Sequence, residues 1–374
     1  MSSDLPYTIR CIATLEGHHD RAWQVAWNPA KPLLASCSAD KSVRMYAYST
    51  KPSVSAGSDD PSAVGAGRAD AIALTHVSTI PTGHTKTVRS IAWAPSGRTL
   101  ATGSFDANIG VWEQEEGDGD GEDGENGGGG GTREWECATL LEGHETECKG
   151  VAYSAGGELL ATCSRDKTVW IWEVHPDSDF ECMGVLMEHT QDVKCVAWHP
   201  SEQILASASY DDTIKLYADD PDEDWVCVQT LAGHQSTVWA LAWSPCGTYL
   251  ASASDDLTIK VWKRAGEHRW EGNLEIKGAH TRSIYSISWG KGKGDGGLGW
   301  LTSTGSDGKI NVWDIQEPPE GSKELEHKLI ASLSSSHDIN DVNSVAWCAR
   351  AGYEDMFATA GDDGLVKAWV VVPA

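Results

Sequence analysis

Short alternating runs dominate the hydrophobic pattern of this chain. Val-Lys-Cys-Val-Ala-Trp at 193–198 and Thr-Ile-Lys-Val-Trp at 258–262 switch between apolar and polar residues with a period of two. Runs of that length and period predict half-buried β-strands. No stretch approaches the ~18 consecutive apolar residues of a membrane-spanning helix, so no transmembrane segment is expected. The start, Met1-Ser-Ser-Asp-Leu-Pro-Tyr7, has no basic segment followed by an apolar one and does not fit a secretory signal.

The alternation is divided by a repeat. A histidine preceded by a small or acidic residue recurs at His18, His84, His144, His189, His234, His280 and His337. Nine residues after each of the first six stands an aromatic, from Trp27 and Trp93 to Trp289; the seventh reaches Trp347 with one extra residue. An aspartate follows each of the first five histidines by 22 residues, and later repeats place it at Asp307 and Asp363. Four residues before that aspartate is always Ser or Thr, and six residues after it always Trp or Tyr. Three repeats show the set in full: His84, Thr102, Asp106 and Trp112; His144, Thr162, Asp166 and Trp172; His234, Ser252, Asp256 and Trp262. Tyr46 and Tyr217 stand where the other repeats have tryptophan, so the indole donor is missing there.

Seven matches in four linked positions resemble the WD repeat, over nearly the whole chain. The resemblance implies an all-β fold, a single seven-bladed WD40 β-propeller spanning 1–374. It also implies that Asp, His, Ser/Thr and Trp form a hydrogen-bonded chain stapling the strands of each blade. A buried carboxylate needs such partners, so these histidines and aspartates are read as structural staples and not as acid–base catalysts. Each blade needs four strands, and only Val-Val-Val-Pro-Ala follows Trp369. Residues 7–15 are therefore expected to supply the last strand of the last blade and close the ring.

Insertions are expected at 49–72 and 114–133 as flexible loops, with shorter ones at 290–299, 316–325 and 349–355. All fall on one face and read as solvated spacers. The run GDGDGEDGENGGGGG cannot bury apolar area. It lacks the Gly-Lys-Ser/Thr ending of a phosphate-binding loop, so no nucleotide site is assigned. Ten cysteines without a CxxC pair suggest reduced thiols, not a zinc or disulfide framework. Cys37, Cys163 and Cys195 fall in strand segments of different blades and read as small core residues, so no cofactor, cluster or metal is expected. The net charge of −26 disfavours nucleic acid and anionic membranes as partners.

The opposite face is trimmed. Two positions per blade point to its rim and channel mouth: the residue five after the histidine and the residue before the aspartate. They supply Arg89, Lys149, Arg165 and Lys194 from three adjacent blades, with Phe105 and Tyr210 beside them and Trp239 and Tyr285 across from them. Cations among aromatics suit a carboxylate flanked by an aromatic side chain. The alternative is that these cations pair with neighbouring Asp or Glu on the rim.

Blade-specific stretches narrow the family. EGHETECKGVA (142–152), LATCSRDKTVWIWE (160–173), EHTQDVKCVAWHP (188–200), LASASYDDTIKLY (205–217), GHQSTVW (233–239) and His280 to Trp289 closely resemble the WD-repeat subunit of the cytosolic iron–sulfur protein assembly machinery. The resemblance implies a non-catalytic cytoplasmic or nuclear scaffold. Its partners would be a DUF59-type protein, a helical-repeat adaptor and apo iron–sulfur clients, engaged through acidic or aromatic C-terminal tails. Arg165 matches a top-face arginine that the family uses. Leu216-Tyr217-Ala218 stands where some members carry Leu-Tyr-Arg, which puts the co-chaperone contact of that tripeptide in doubt. The other class of reading is a substrate receptor of a ubiquitin ligase or a histone-tail reader.

Overall fold

The computed structural model describes residues 5–50, 71–114, 134–176, 179–220, 224–293, 297–319 and 321–374. Their 28 strands, β1 to β28 in chain order, form seven four-stranded antiparallel sheets. Six blades use consecutive strands, over 22–81, 88–141, 148–186, 193–232, 238–277 and 284–333. The inner strand of each packs on the inner strands of its two neighbours, so the sheets stand radially around a central channel.

The seventh blade takes β26 (Val342–Trp347), β27 (Met356–Gly361) and β28 (Val366–Pro373) from the end of the chain and β1 (Tyr7–Leu15) from its beginning. Register runs from Tyr7 opposite Pro373 to Leu15 opposite Val366. The expected closure is present. Ile9 and Leu15 are buried in the cores on either side of that strand.

The apolar core is divided among seven clusters, and each lies between adjacent blades. One joins Val43, Met45 and Ile80 of blade 1 to Val88, Ile91, Leu100 and Trp112 of blade 2. The next joins Ile109 and Val111 to Cys148, Leu160 and Trp172 of blade 3. A single sheet has no core of its own, so a blade is stable only against its neighbours.

The insertions differ in part from expectation. β4 (Ser42–Thr50), β5 (Ile72–Pro81) and β8 (Ile109–Gln114) extend into the spans assigned to loops. The remainders, 51–70 and 115–133, lie outside the described residues. The shorter insertions are not solvated spacers. Leu325 is buried in the core between blades 5 and 6, and Asn273 bonds the Lys323 carbonyl and the Leu325 amide. Tyr353 packs edge-on against Tyr48 at 5.2 Å, and buried Asp355 receives Lys293 from the neighbouring insertion at 2.5 Å. Leucine and tyrosine in these segments have apolar area to bury, which the Gly/Asp/Glu run lacks.

Candidate functional site

The staple layer sets the frame. In blade 3, Trp172 Nε1 donates to Thr162 Oγ1 at 3.1 Å, Thr162 meets His144 Nε2 at 2.9 Å, and His144 Nδ1 meets Asp166 at 2.9 Å. The indole can only donate, so the hydroxyl proton turns to Nε2 and Nδ1 carries the imidazole proton toward the carboxylate. Blade 2 repeats this through Trp112, Thr102, His84 and Asp106, and blade 5 through Trp262, Ser252, His234 and Asp256. Both ring nitrogens are thus engaged inside the blade. Burial opposes ionisation of Asp166, Asp211 and Asp256, yet the hydrogen bonds from histidine and threonine outweigh it and hold these carboxyls well below the usual range. In blades 1 and 4 the chain is shorter by one link. The Tyr46 and Tyr217 hydroxyls are buried beside Ser36 and Ser207 without a well-formed hydrogen bond, and burial pushes both phenols up.

Above this layer, one local feature recurs in all seven inner strands. The register between first and second strands slips after the first residue, at Ala22/Gln24, Val88/Ser90, Cys148/Gly150, Val193/Cys195, Val238/Ala240, Ile284/Ser286 and Val342/Ser344. The skipped residue is the one five places after the staple histidine, or six in blade 7. A β-bulge frees a residue from the ladder and re-aims its side chain. Here it turns Trp23, Arg89, Lys149, Lys194, Trp239, Tyr285 and Asn343 into the channel mouth, where with Arg21, Phe105, Asp341 and Asp362 they line a cavity of about 220 Å³.

The mouth is charged by sectors. Blades 2 to 4 bring Arg89, Lys149 and Lys194, each against an aromatic face. Arg89 lies 4.7 Å from the Trp23 ring, Lys149 4.4 Å from Phe105, and Lys194 5.2 Å from Tyr210 and 5.0 Å from Trp239. Burial lowers the Lys194 ammonium; Asp192 counters this, while Lys149 and Arg89 add to it. Blades 5 and 7 bring carboxylates instead. Asp255 accepts from the Trp239 indole at 2.6 Å, and Asp362 holds Asn343 at 2.8 Å and Arg21 at 3.4 Å. Tyr285 stacks edge-on against Trp239 at 5.3 Å.

Six of the eight expected contact residues therefore line one cavity: Arg89, Phe105, Lys149, Lys194, Trp239 and Tyr285. Arg165 and Tyr210 stand outside it on the rim, about half exposed. Local pairing is also realised: Glu147 faces both Lys149 at 2.5 Å and Arg165 at 3.3 Å, and Asp192 faces Lys194 at 3.3 Å. Glu147-x-Lys149 and Asp192-x-Lys194 place the partners two apart, a signal readable in the sequence. Arg21 and Asp341 were not expected, and nothing in the repeat spacing marks them. Among the described residues, one group has metal-ligand spacing, Glu173, His175 and Glu181 on the hairpin of β12 (Val169–Val174) and β13 (Phe180–Leu186); the cysteine thiols form none.

The WD domain, G-beta repeat family matches residues 9–46, 75–113, 135–173, 180–218 and 225–263. Each matched unit begins on the outer strand of one blade and continues into the next, so the sequence repeat straddles the blade boundary as β1 does. The chain is 47% identical to the probable cytosolic iron-sulfur protein assembly protein 1 of Mycosarcoma maydis, over 97% of this chain and 93% of that protein. It is 42% identical to the protein of the same name from Cryptococcus neoformans var. neoformans serotype D, over 97% and 99%, and 38% identical to that of Candida glabrata, over 96% and 98%. The chain belongs to this family of WD-repeat propellers.

Proposed function

We propose that this propeller is a non-catalytic scaffold of cytosolic iron–sulfur protein assembly that docks partner and client proteins on its trimmed face. The name of these relatives supports the process and the cytoplasm as its place. The observation that carries the docking surface is the bulged ring of Arg89, Lys149 and Lys194 set against Trp239 and Tyr285 in one cavity. A protein carboxylate fits the cationic sector, and an aromatic neighbour fits the indole and phenol wall. Acidic or aromatic C-terminal tails of apo iron–sulfur clients have that chemistry. A DUF59-type protein and a helical-repeat adaptor are the proposed standing partners, in the cytoplasm and the nucleus. Staple histidines with both nitrogens engaged leave no free base among them, which supports a role without catalysis.

Arg165→Glu tests the reading. The rim arginine extends the cationic sector outward and shares Glu147 with Lys149. Reversing it places two carboxylates beside Lys149 and is expected to weaken capture of clients or adaptor about 10-fold or more, the loss of one charge-assisted contact. Affinity purification from cells with identification of the co-purifying proteins reads this out. Normal recovery of iron–sulfur partners with normal melting overturns the docking surface. Recovery of ubiquitin-ligase subunits or histones in their place would favour the other class of reading.

A further inference from the structure

The cations of the mouth are not compensated alike. Lys149 has Glu147 and Lys194 has Asp192. Arg89 has neither an ion pair nor a protein hydrogen-bond acceptor among the described residues; its guanidinium lies over the Trp23 ring. The groups that act on it electrostatically are the thiols of Cys37, Cys195 and Cys163. Burial pushes the Cys37 thiol up to about 12 and raises Cys163 and Cys195, so all three are neutral and none balances the charge. A lysine in this place could shed its proton; a guanidinium keeps its charge. A withdrawn cation without a counter-charge is costly, and all of its N–H donors remain available at the wall of a cavity of about 220 Å³.

We propose that the channel mouth is a seat for a small free oxyanion of the inorganic phosphate class, held by Arg89 and flanked by Lys194 and Lys149. The planar fork of a guanidinium matches two oxygens of such an anion. The guanidinium fork with two ammonium donors beside it favours an anion that has several oxygen acceptors over a halide. At roughly 30 Å³ per water, the cavity admits the anion with part of its hydration. Asp341 and Asp362 on blade 7 repel it, which sets the seat off-centre, toward blades 2 to 4. The inference rests on the mouth being a binding site, as the docking reading holds, and adds what occupies it when no protein group is present. A docked carboxylate and a free oxyanion would exclude one another there.

Titration of the intact protein with inorganic phosphate at constant ionic strength, followed by the tryptophan fluorescence to which Trp23 and Trp239 at the mouth contribute, tests the seat. A saturable change is expected for the wild type, and at least 10-fold weaker affinity for Arg89→Met. Arg89→Met is also expected to melt at or above the wild type in phosphate-free buffer, because it removes an unbalanced charge, and to lose the rise in melting temperature that phosphate gives the wild type. If that variant does not fold, Lys194→Met carries the same comparison with a smaller loss of affinity. No saturable response of the wild type, or equal responses of wild type and variants, overturns the proposal. Sodium acetate in place of phosphate separates a carboxylate seat from a phosphate seat: equal or tighter acetate binding overturns the assignment of class. Saturable phosphate binding that leaves partner capture untouched would sink the docking reading and keep the seat; partner capture without a phosphate response would do the reverse.

Discussion

The staple layer and the channel mouth are built by the same seven repeats, on different strands of the same blades, and they treat those repeats in opposite ways. In the staple, His144, Thr162, Asp166 and Trp172 have counterparts of the same type in almost every blade, and each group is a donor or acceptor for the next. At the mouth, the bulged residue is tryptophan, arginine, lysine, tyrosine or asparagine depending on the blade. The difference is one of obligation. A buried staple group must meet its fixed partner or bear the cost of an unmade hydrogen bond. A bulged residue has left the ladder, so its side chain answers only to what lies in the channel. Repetition therefore marks what holds the ring, and departure from repetition marks where the proposed docking surface lies.

The contrast can be broken from its structural side first. Deleting residues 1–15 strips blade 7 of its outer strand, exposes the edge of β28 and opens the cores that Ile9 and Leu15 help fill. The expected outcome is aggregation or loss of cooperative melting, seen by size-exclusion chromatography and calorimetry; a monomer with unchanged melting would refute the closure argument. Acid is the next largest lever. Asp40, Asp166, Asp211, Asp256 and Asp307 are all held below the unfolded value of about 3.9. Groups depressed in the fold contribute stability above that value and lose it as pH falls toward their folded values. Asp106 and Asp363 are lowered as well, so melting temperature should fall steeply below about pH 4 by the sum of seven sites, and a flat profile there would contradict the staple electrostatics.

Single substitutions sharpen the same contrast. Asp256→Asn leaves His234 and the Gln235 amide without their charged acceptor and is expected to cost about 1.5–3 kcal/mol in chemical unfolding. Arg165→Glu, the neighbour of a staple aspartate, should alter stability by no more than about 0.5 kcal/mol, because the side chain is 58% exposed and its one ion pair is on the surface. If the two variants destabilise equally, the division between holding and docking residues is wrong.

The ring and its staples were legible in the sequence because their marks are spacings that chemistry fixes. The closure was legible too, since a missing fourth strand after Trp369 and a spare one before His18 can meet in only one way. The mouth was legible in part. The offset from the staple histidine found Arg89, Lys149 and Lys194, but the position before the staple aspartate is divided: Phe105 and Asp362 reach the cavity, while Arg165 and Tyr210 stay on the rim. The bulge that turns the first group inward lies between residues such as Val88 and Ser90, and the repeat spacing does not mark it. Arg21 and Asp341 enter the mouth through loop conformation, which spacing does not encode.

Closure by β1 also sets an order in time. Tyr7 pairs with Pro373, so the first strand to leave the ribosome waits for the last. At 5–20 residues per second that wait is roughly 20–70 s. Throughout it Ile9 and Leu15 lack their final surroundings, and the edge β1 will fill does not yet exist. Non-local pairing of this kind folds slowly and exposes strand edges on the way. The feature that makes the finished ring seamless is the one that leaves its two ends most dependent on protection while it is being made.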